Sequence, residues 1–333
     1  MPYLGYGTPR ALMLCGRVLE DEGIRPALDN ASRWRNLVAF YKRLESDEVP
    51  GARVRARFLG TVTDTVADKE GYFSFAINTR GRLGPGLWQE VALELVEPRA
   101  DVRASGHVLV PSTRARFGVV SDIDDTILYS HVTRKLRMVL TAALANARMR
   151  KPFKGVAAFY RALHAGVNPI FYVSKSPWNL YAPLVEFLEL QDIPCGPLFL
   201  RDFGARGAAE HKARSIARIF ATYPKLEFVL IGDSGEKDPE VYSEIVRAHP
   251  KRVRVIYIRS IDVRPERIAA VERLIERVRH SGCQLVLAPD SEFAAAHAAA
   301  EGLIQASDLR AVRADKSAEE KSFSKLGASS GSL

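Results

Sequence analysis

Cysteine, long apolar runs and acidic charge are all scarce in this chain, and each scarcity excludes something. Cysteine occurs only at Cys15, Cys195 and Cys283, far apart and without the spacing of metal ligands. That excludes a disulfide-stapled scaffold and a zinc ribbon, and reads as free buried thiols of a reducing compartment. No stretch approaches the roughly 18 consecutive apolar residues of a membrane span. The apolar patch Ala11–Cys15 is too short for the apolar region of a signal peptide. A cytoplasmic protein is therefore expected, with peripheral contact to an anionic membrane left open. Acidic residues number 39 against 48 basic ones, a formal net charge of +9. Such a balance favours anionic partners, whether phosphates, acidic headgroups or nucleic acid. Nucleic acid is the least favoured of these, because basic and aromatic residues are not interleaved as such binders require.

What is present is enough for a large core. The apolar fraction is 47%, and 333 residues suit two domains or one with an appendage. Residues 1–112 read as β-rich. Arg10–Leu19, Arg53–Leu59, Tyr72–Ile77 and Trp88–Val96 are apolar or alternate, with turns such as Asp68–Gly71 between them. Short strands separated by turns predict a small β-sandwich-like domain. Arg57 and its basic neighbours form either a solvated strand face or an anion-binding one. Within this region Trp34, Leu37, Phe40, Tyr41 and Leu44 recur at helical spacing. They predict an inserted amphipathic helix over 29–44, packed on the sheet or touching lipid or a partner protein.

Past Pro111–Arg116 the pattern becomes strand–helix alternation, the signature of a parallel sheet. Strands are predicted at 117–123, 168–173, 196–200, 226–231 and 253–258, with a sixth at 284–287. Helices are predicted at 131–148, 155–166, 176–190, 210–222, 239–249 and 264–281, followed by an Ala-rich helix capped by Ser291. The α/β domain is thus expected over 113–305, and 306–333 as a helix end and a disordered tail.

The chemistry sits after the predicted strands. Gly118–Val120 leads into Ser121 and the carboxylates Asp122, Asp124 and Asp125. Like charges about 4 Å apart repel by about 4 kcal/mol at protein-like dielectric, so either a divalent cation or a solvated Asp-rich turn is expected. Phe171–Asn179 ends a strand in Ser174, Lys175 and Ser176. Ser176 followed by Pro177 reads as a helix N-cap and first turn, a start that suits phosphate. His211–Lys212 opens a helix, and Val229–Asp238 ends another strand in Asp233, Glu236 and Asp238.

Asp-x-Asp-x-Thr at 122–126, Ser174, Lys212 and Gly-Asp-x-x-x-x-Asp at 232–238 resemble, in order, the motifs of the haloacid dehalogenase (HAD) phosphatase superfamily. Residues 121–127, 172–180 and 232–240 more closely resemble the signatures of the App1-type phosphatidate phosphatase catalytic domain, and Tyr3–Thr8 resembles its opening. The resemblance implies an α/β fold, a HAD-like Rossmannoid parallel sheet with helices on both faces. It implies a phosphomonoester hydrolase that forms an aspartyl-phosphate. Asp122 would be the nucleophile and Asp124 the acid/base. Ser174, Lys175 and Lys212 would hold the substrate phosphate, with Thr126 supporting the loop. Mg²⁺ would be held by Asp122, the backbone carbonyl of Asp124, Asp233 and the matching Asp238. Asp125 reads as structural. The substrate implied is a phosphorylated lipid. A soluble phosphomonoester, or a binding module with a vestigial catalytic domain, remain the alternatives. The basic, apolar stretch Thr133–Arg150 would suit an acidic membrane surface or be a structural helix.

Overall fold

The computed structural model describes residues 1–20, 48–124, 126–127, 155–201 and 207–317. The predicted helices at 29–44 and 131–148, Asp125 and the tail past residue 317 lie outside the described residues. Residues 308–317 are helical. The chain divides into two compact units, one built on Met1–Arg114 and one taking in nearly all described residues from Ala115 onward.

In the first unit, period-two alternation gives each strand a dry and a wet face. Strands β1 (Gly5–Thr8), β2 (Ala11–Arg17), β3 (Arg53–Phe58), β4 (Thr61–Val66), β5 (Tyr72–Asn78), β6 (Trp88–Glu97) and β7 (Arg103–Leu109) form one sheet in the order β4-β3-β6-β7-β1-β2-β5. β1 runs parallel to β7 and antiparallel to β2. The dry faces meet in a core of Leu12, Leu14, Val54, Phe73, Phe75, Ile77, Val91 and Val108. Two separate sheets were expected from the alternation. Instead a single sheet curls until its end strands β4 and β5 touch. The dry faces pack on one another across the curl, and alternation alone cannot distinguish that from a second covering sheet.

The basic face of β3 is neutralised by its neighbours. Arg55 forks onto both oxygens of Asp64 at 2.8 Å, Arg57 meets Glu94 at 3.4 Å and Arg53 meets Glu97 at 3.9 Å. This is a solvated strand face, not an anion site. No disulfide joins the three cysteines, and burial pushes the Cys195 thiol up to about 11.

In the second unit, strands β8 (Gly118–Ser121), β9 (Ile170–Pro177), β10 (Leu198–Arg201), β11 (Phe228–Asp233), β12 (Val253–Arg259) and β13 (Gln284–Ala288) form a sheet ordered β10-β9-β8-β11-β12-β13. The pairs β8–β9, β8–β11, β11–β12 and β12–β13 are parallel. All residues of β8 and β11 are buried, as central strands with helices on both faces must be. Between and after them run α1 (Val156–His164), α2 (Tyr181–Leu190), α3 (Ala208–Thr222), α4 (Asp238–Ala248), α5 (Pro265–Arg279) and α6 (Ser291–Ala300). None of the helices is long and apolar enough to cross a membrane, among the described residues.

Two local expectations change. β9 continues through Pro177, a 3₁₀ turn spans Trp178–Leu180, and α2 begins only at Tyr181. Ser176 is therefore not a helix cap; its hydroxyl turns inward. Asp290, not Ser291, caps α6, its carboxylate accepting from the Phe293 amide at 2.9 Å. A carboxylate at the N-cap outcompetes the hydroxyl one residue later because it reaches the free amide and carries the charge that the helix N-terminus favours.

Candidate active site

β8 lies between β9 and β11 with all three strands parallel, so the order in which strands are added reverses at β8, and the crevice at the C-terminal ends of these three strands is where open α/β sheets bind ligands. Each strand delivers a polar group there. β8 hands over Asp122 and Asp124, β9 carries Ser174 and Ser176, and β11 ends in Asp233. α3 adds Lys212 from its first turns and α4 adds Asp238 at its first residue. Gly232 makes the last approach possible: a β-carbon there would collide with the Asp238 carboxylate.

All six of the central side chains are buried: Asp122 and Asp233 fully, with Asp124, Ser174, Lys212 and Asp238 at most 5% exposed. Lys212 Nζ donates to Asp122 Oδ1 at 2.9 Å and to Asp238 Oδ1. The other Asp238 oxygen accepts from the Asp233 amide at 3.3 Å. Asp233 Oδ1 accepts from the amides of Gly235 at 2.7 Å and Glu236 at 2.9 Å. Asp124 faces the other way. Ser174 Oγ donates to its Oδ2 at 2.6 Å, and Ser176 Oγ reaches both oxygens, at 3.3 and 3.4 Å.

Burial pushes the Asp122 carboxyl well above the ordinary carboxylate range. Lys212 opposes that shift, and the carboxylates of Asp238, Asp124 and Asp233 reinforce it. For Lys212, burial works downward, but Asp122 and Asp238 outweigh it and hold the ammonium above its usual value, and so charged. Among the described residues of the crevice, four buried carboxylates thus face one buried ammonium.

A hard divalent cation fits this shortfall. Asp122, Asp233 and Asp238 each offer a carboxylate oxygen, and these oxygens lie within 4.8 Å of one another. Asp122 Oδ2 is buried without a hydrogen-bond partner among the described residues. Oxygen ligands alone suit Mg²⁺ or a similar ion. The backbone carbonyl of Asp124 accepts from the Thr126 amide at 2.7 Å and keeps a second lone pair.

The remaining predicted residues are placed as follows. Thr126 supports the loop through that backbone amide; its hydroxyl is buried and has no hydrogen-bond partner among the described residues. Lys175, expected on the substrate phosphate, is ion-paired with Glu236 across the crevice. His211 faces the Phe199 carbonyl at 3.2 Å. Three contributors take roles that the sequence did not indicate. Ser176 is a second hydroxyl on Asp124. Ser121 Oγ donates to the Asp122 carbonyl at 2.6 Å and lies 2.6 Å from the hydroxyl of the buried Tyr160. Tyr242 donates to the Ile231 carbonyl at 3.0 Å, which also receives the Asp122 amide at 2.9 Å. The last two pairs brace the backbone that aims Asp122. They join residues 39 and 11 positions apart, respectively, which no local pattern reveals.

The class defined is an open parallel α/β sheet with a buried acid, hydroxyl and lysine centre at its carboxyl edge. Residues 117–260 match the family described as "Phosphatidate phosphatase APP1, catalytic domain". Over 151 residues the chain is 34% identical to Phosphatidate phosphatase APP1 of Saccharomyces cerevisiae, covering 43% of this chain and 25% of that protein. Over 155 residues it is 29% identical to an uncharacterized protein of Schizosaccharomyces pombe, covering 44% and 26%. The chain thus spans about a quarter of the length of the curated relatives it matches. A solved HAD family hydrolase from Deinococcus radiodurans, with bound phosphate and sodium, is 19% identical with a TM-score of 0.36, covering 57% of this chain and 99% of that one.

Proposed function

We propose that this chain is a Mg²⁺-dependent phosphatidate phosphatase of HAD type, acting on a lipid phosphate through an aspartyl-phosphate, with residues 113–305 as its catalytic domain. One observation carries the reading: Asp122 is fully buried, with one carboxylate oxygen on Lys212 and the other unpartnered among the described residues, beside Asp124. An oriented carboxylate with a free oxygen in a water-poor crevice is equipped for nucleophilic attack.

In the first step an Asp122 oxygen bonds to phosphorus while the bond to the leaving alkoxide breaks, and Asp124 gives that alkoxide its proton. In the second, Asp124 takes a proton from water, the hydroxide attacks phosphorus, and the acyl-phosphate bond breaks to return Asp122 and free phosphate. Ser174 and Ser176 hold Asp124 in place for both transfers, and Ser174 would also donate to a transferring phosphoryl oxygen. Lys212 offsets charge on Asp122 and on the phosphoryl group, aimed by Asp238. Mg²⁺, held by Asp122, Asp233 and the Asp124 carbonyl with Asp238 alongside, would neutralise phosphoryl charge that otherwise repels an anionic nucleophile. Preorganised charge of this kind is what phosphomonoester hydrolysis, with its very high uncatalysed barrier, requires.

Phosphate release from phosphatidate in mixed micelles should require Mg²⁺, vanish with EDTA and return on adding Mg²⁺ back. Phosphatidate should exceed a panel of soluble phosphomonoesters in kcat/KM. Preference for a soluble compound would replace the lipid reading, and phosphate release unaffected by EDTA would remove the metal. Ser174→Ala should lower kcat by about 10²-fold, the scale of losing one oriented donor at a transition state. Ser176→Ala, at longer distance, should cost less than Ser174→Ala; equal rates for wild type and Ser174→Ala would remove the hydroxyl from the mechanism.

A further inference from the structure

Arg267 lies on α5, beyond the 117–260 segment that matches the App1 family, and takes no part in the chemistry above. Its guanidinium is committed to the loop after β11 and the first turn of α4. Nε donates to the Ser234 carbonyl at 2.6 Å. One terminal nitrogen donates to the Glu236 carbonyl at 2.5 Å and to Glu240 Oε2 at 3.1 Å. The other donates to Glu240 Oε1. The side chain is only 16% exposed, so these bonds compete little with water. Ser234 pins the same loop from its other side, its Oγ accepting from the amides of Ile261 at 2.9 Å and Asp262 at 3.0 Å. Asp233 opens this loop and Asp238 closes it. Inside it, the Gly235 and Glu236 amides fix Asp233 Oδ1, so the backbone that Arg267 holds is the backbone that orients Asp233.

We propose that Arg267 is a positioning residue: it locks residues 233–240 in the shape that converges Asp233 and Asp238 on Asp122. The inference rests on the metal reading of the site given above. Only arginine supplies donors in a fixed planar fork able to reach two carbonyls and a carboxylate together; a lysine keeps the charge and loses the fork. Groups that orient metal ligands from outside commonly change metal affinity by about 10–100-fold when removed.

The test uses the full chain. In Arg267→Met, calorimetric titration with Mg²⁺ should show a Kd raised about tenfold or more, with Arg267→Lys between it and wild type. Hydrogen exchange of the amides of residues 234–238 and 240 should quicken in both variants, while exchange in β8 and β12 stays at the wild-type rate. Glu240→Gln, which leaves both carbonyl bonds intact, should shift Kd less than Arg267→Met. If Arg267→Met does not fold, Arg267→Lys carries the same two measurements. Wild-type Kd and wild-type exchange in a folded Arg267 variant would overturn the proposal. A wild-type chain that binds no Mg²⁺ would overturn the metal reading instead, and the exchange rates would still decide whether Arg267 holds the loop.

Discussion

Asp122→Asn is expected to lower phosphate release by about 10⁴-fold or more, the scale seen when a covalent nucleophile is removed and the rest of a site is left standing. The amide has the same shape, and its oxygen can still accept from Lys212, so the crevice should keep its geometry. What disappears is the anion that bonds to phosphorus. The same change should not destabilise the fold when EDTA is present. In the wild type, burial raises the folded-state Asp122 carboxyl above its unfolded value. Over the pH range between the two, the native state then binds more protons than the unfolded one, and stability falls as pH rises. That window opens near the ordinary carboxylate value of about 4. Without metal, the wild type should therefore lose stability as pH climbs from there towards neutrality, and Asp122→Asn should flatten the slope. Urea unfolding across pH measures the second expectation and a phosphate-release assay the first. Wild-type turnover by Asp122→Asn would remove the aspartyl-phosphate from the mechanism.

The second unit was readable because its strands are buried on both faces and its reactive residues follow them directly. Gly118–Val120, Phe171–Val173 and Val229–Ile231 are continuous apolar runs, and a polar residue after such a run must lie at the carboxyl edge of the sheet. Asp122, Asp124, Ser174 and Asp233 were placed by that logic, and Lys212 and Asp238 by the order of motifs. Less legible was anything decided by a partner distant in the chain. Ser176 looks like a helix cap because Pro177 follows it, but Asp124, 52 positions earlier, draws its hydroxyl inward. Lys175 looks like a phosphate ligand because it sits between two serines, yet Glu236 pairs with it from β11's loop. The single curled sheet of the first unit was hidden for a related reason. Alternation in Arg53–Phe58 or Tyr72–Asn78 says that one face is dry without saying what dries it.

Lys212→Met should be the most destabilising of the site variants. Its ammonium is the one cation among the described buried residues of the crevice, set between Asp122 and Asp238. Removing one partner of a buried ion pair costs about 3–5 kcal/mol, because the charge left behind has neither water nor a counterion. Here two carboxylates would be left so, with Asp233 close by. In EDTA the variant should unfold at markedly lower urea than wild type, and phosphate release should be lost. Mg²⁺ should then raise the stability of Lys212→Met. A ligand that binds only the folded state stabilises by about 2.7 kcal/mol at 100 times its Kd, so saturating Mg²⁺ should recover much of the loss without restoring turnover. Stability and turnover thereby separate: the charge on Lys212 can be replaced in part by a cation, whereas its placement against the phosphoryl group cannot. If Lys212→Met were as stable as wild type in EDTA, the carboxylates could not be ionised together in the folded protein. The electrostatic shortfall that calls for a divalent cation would then not exist.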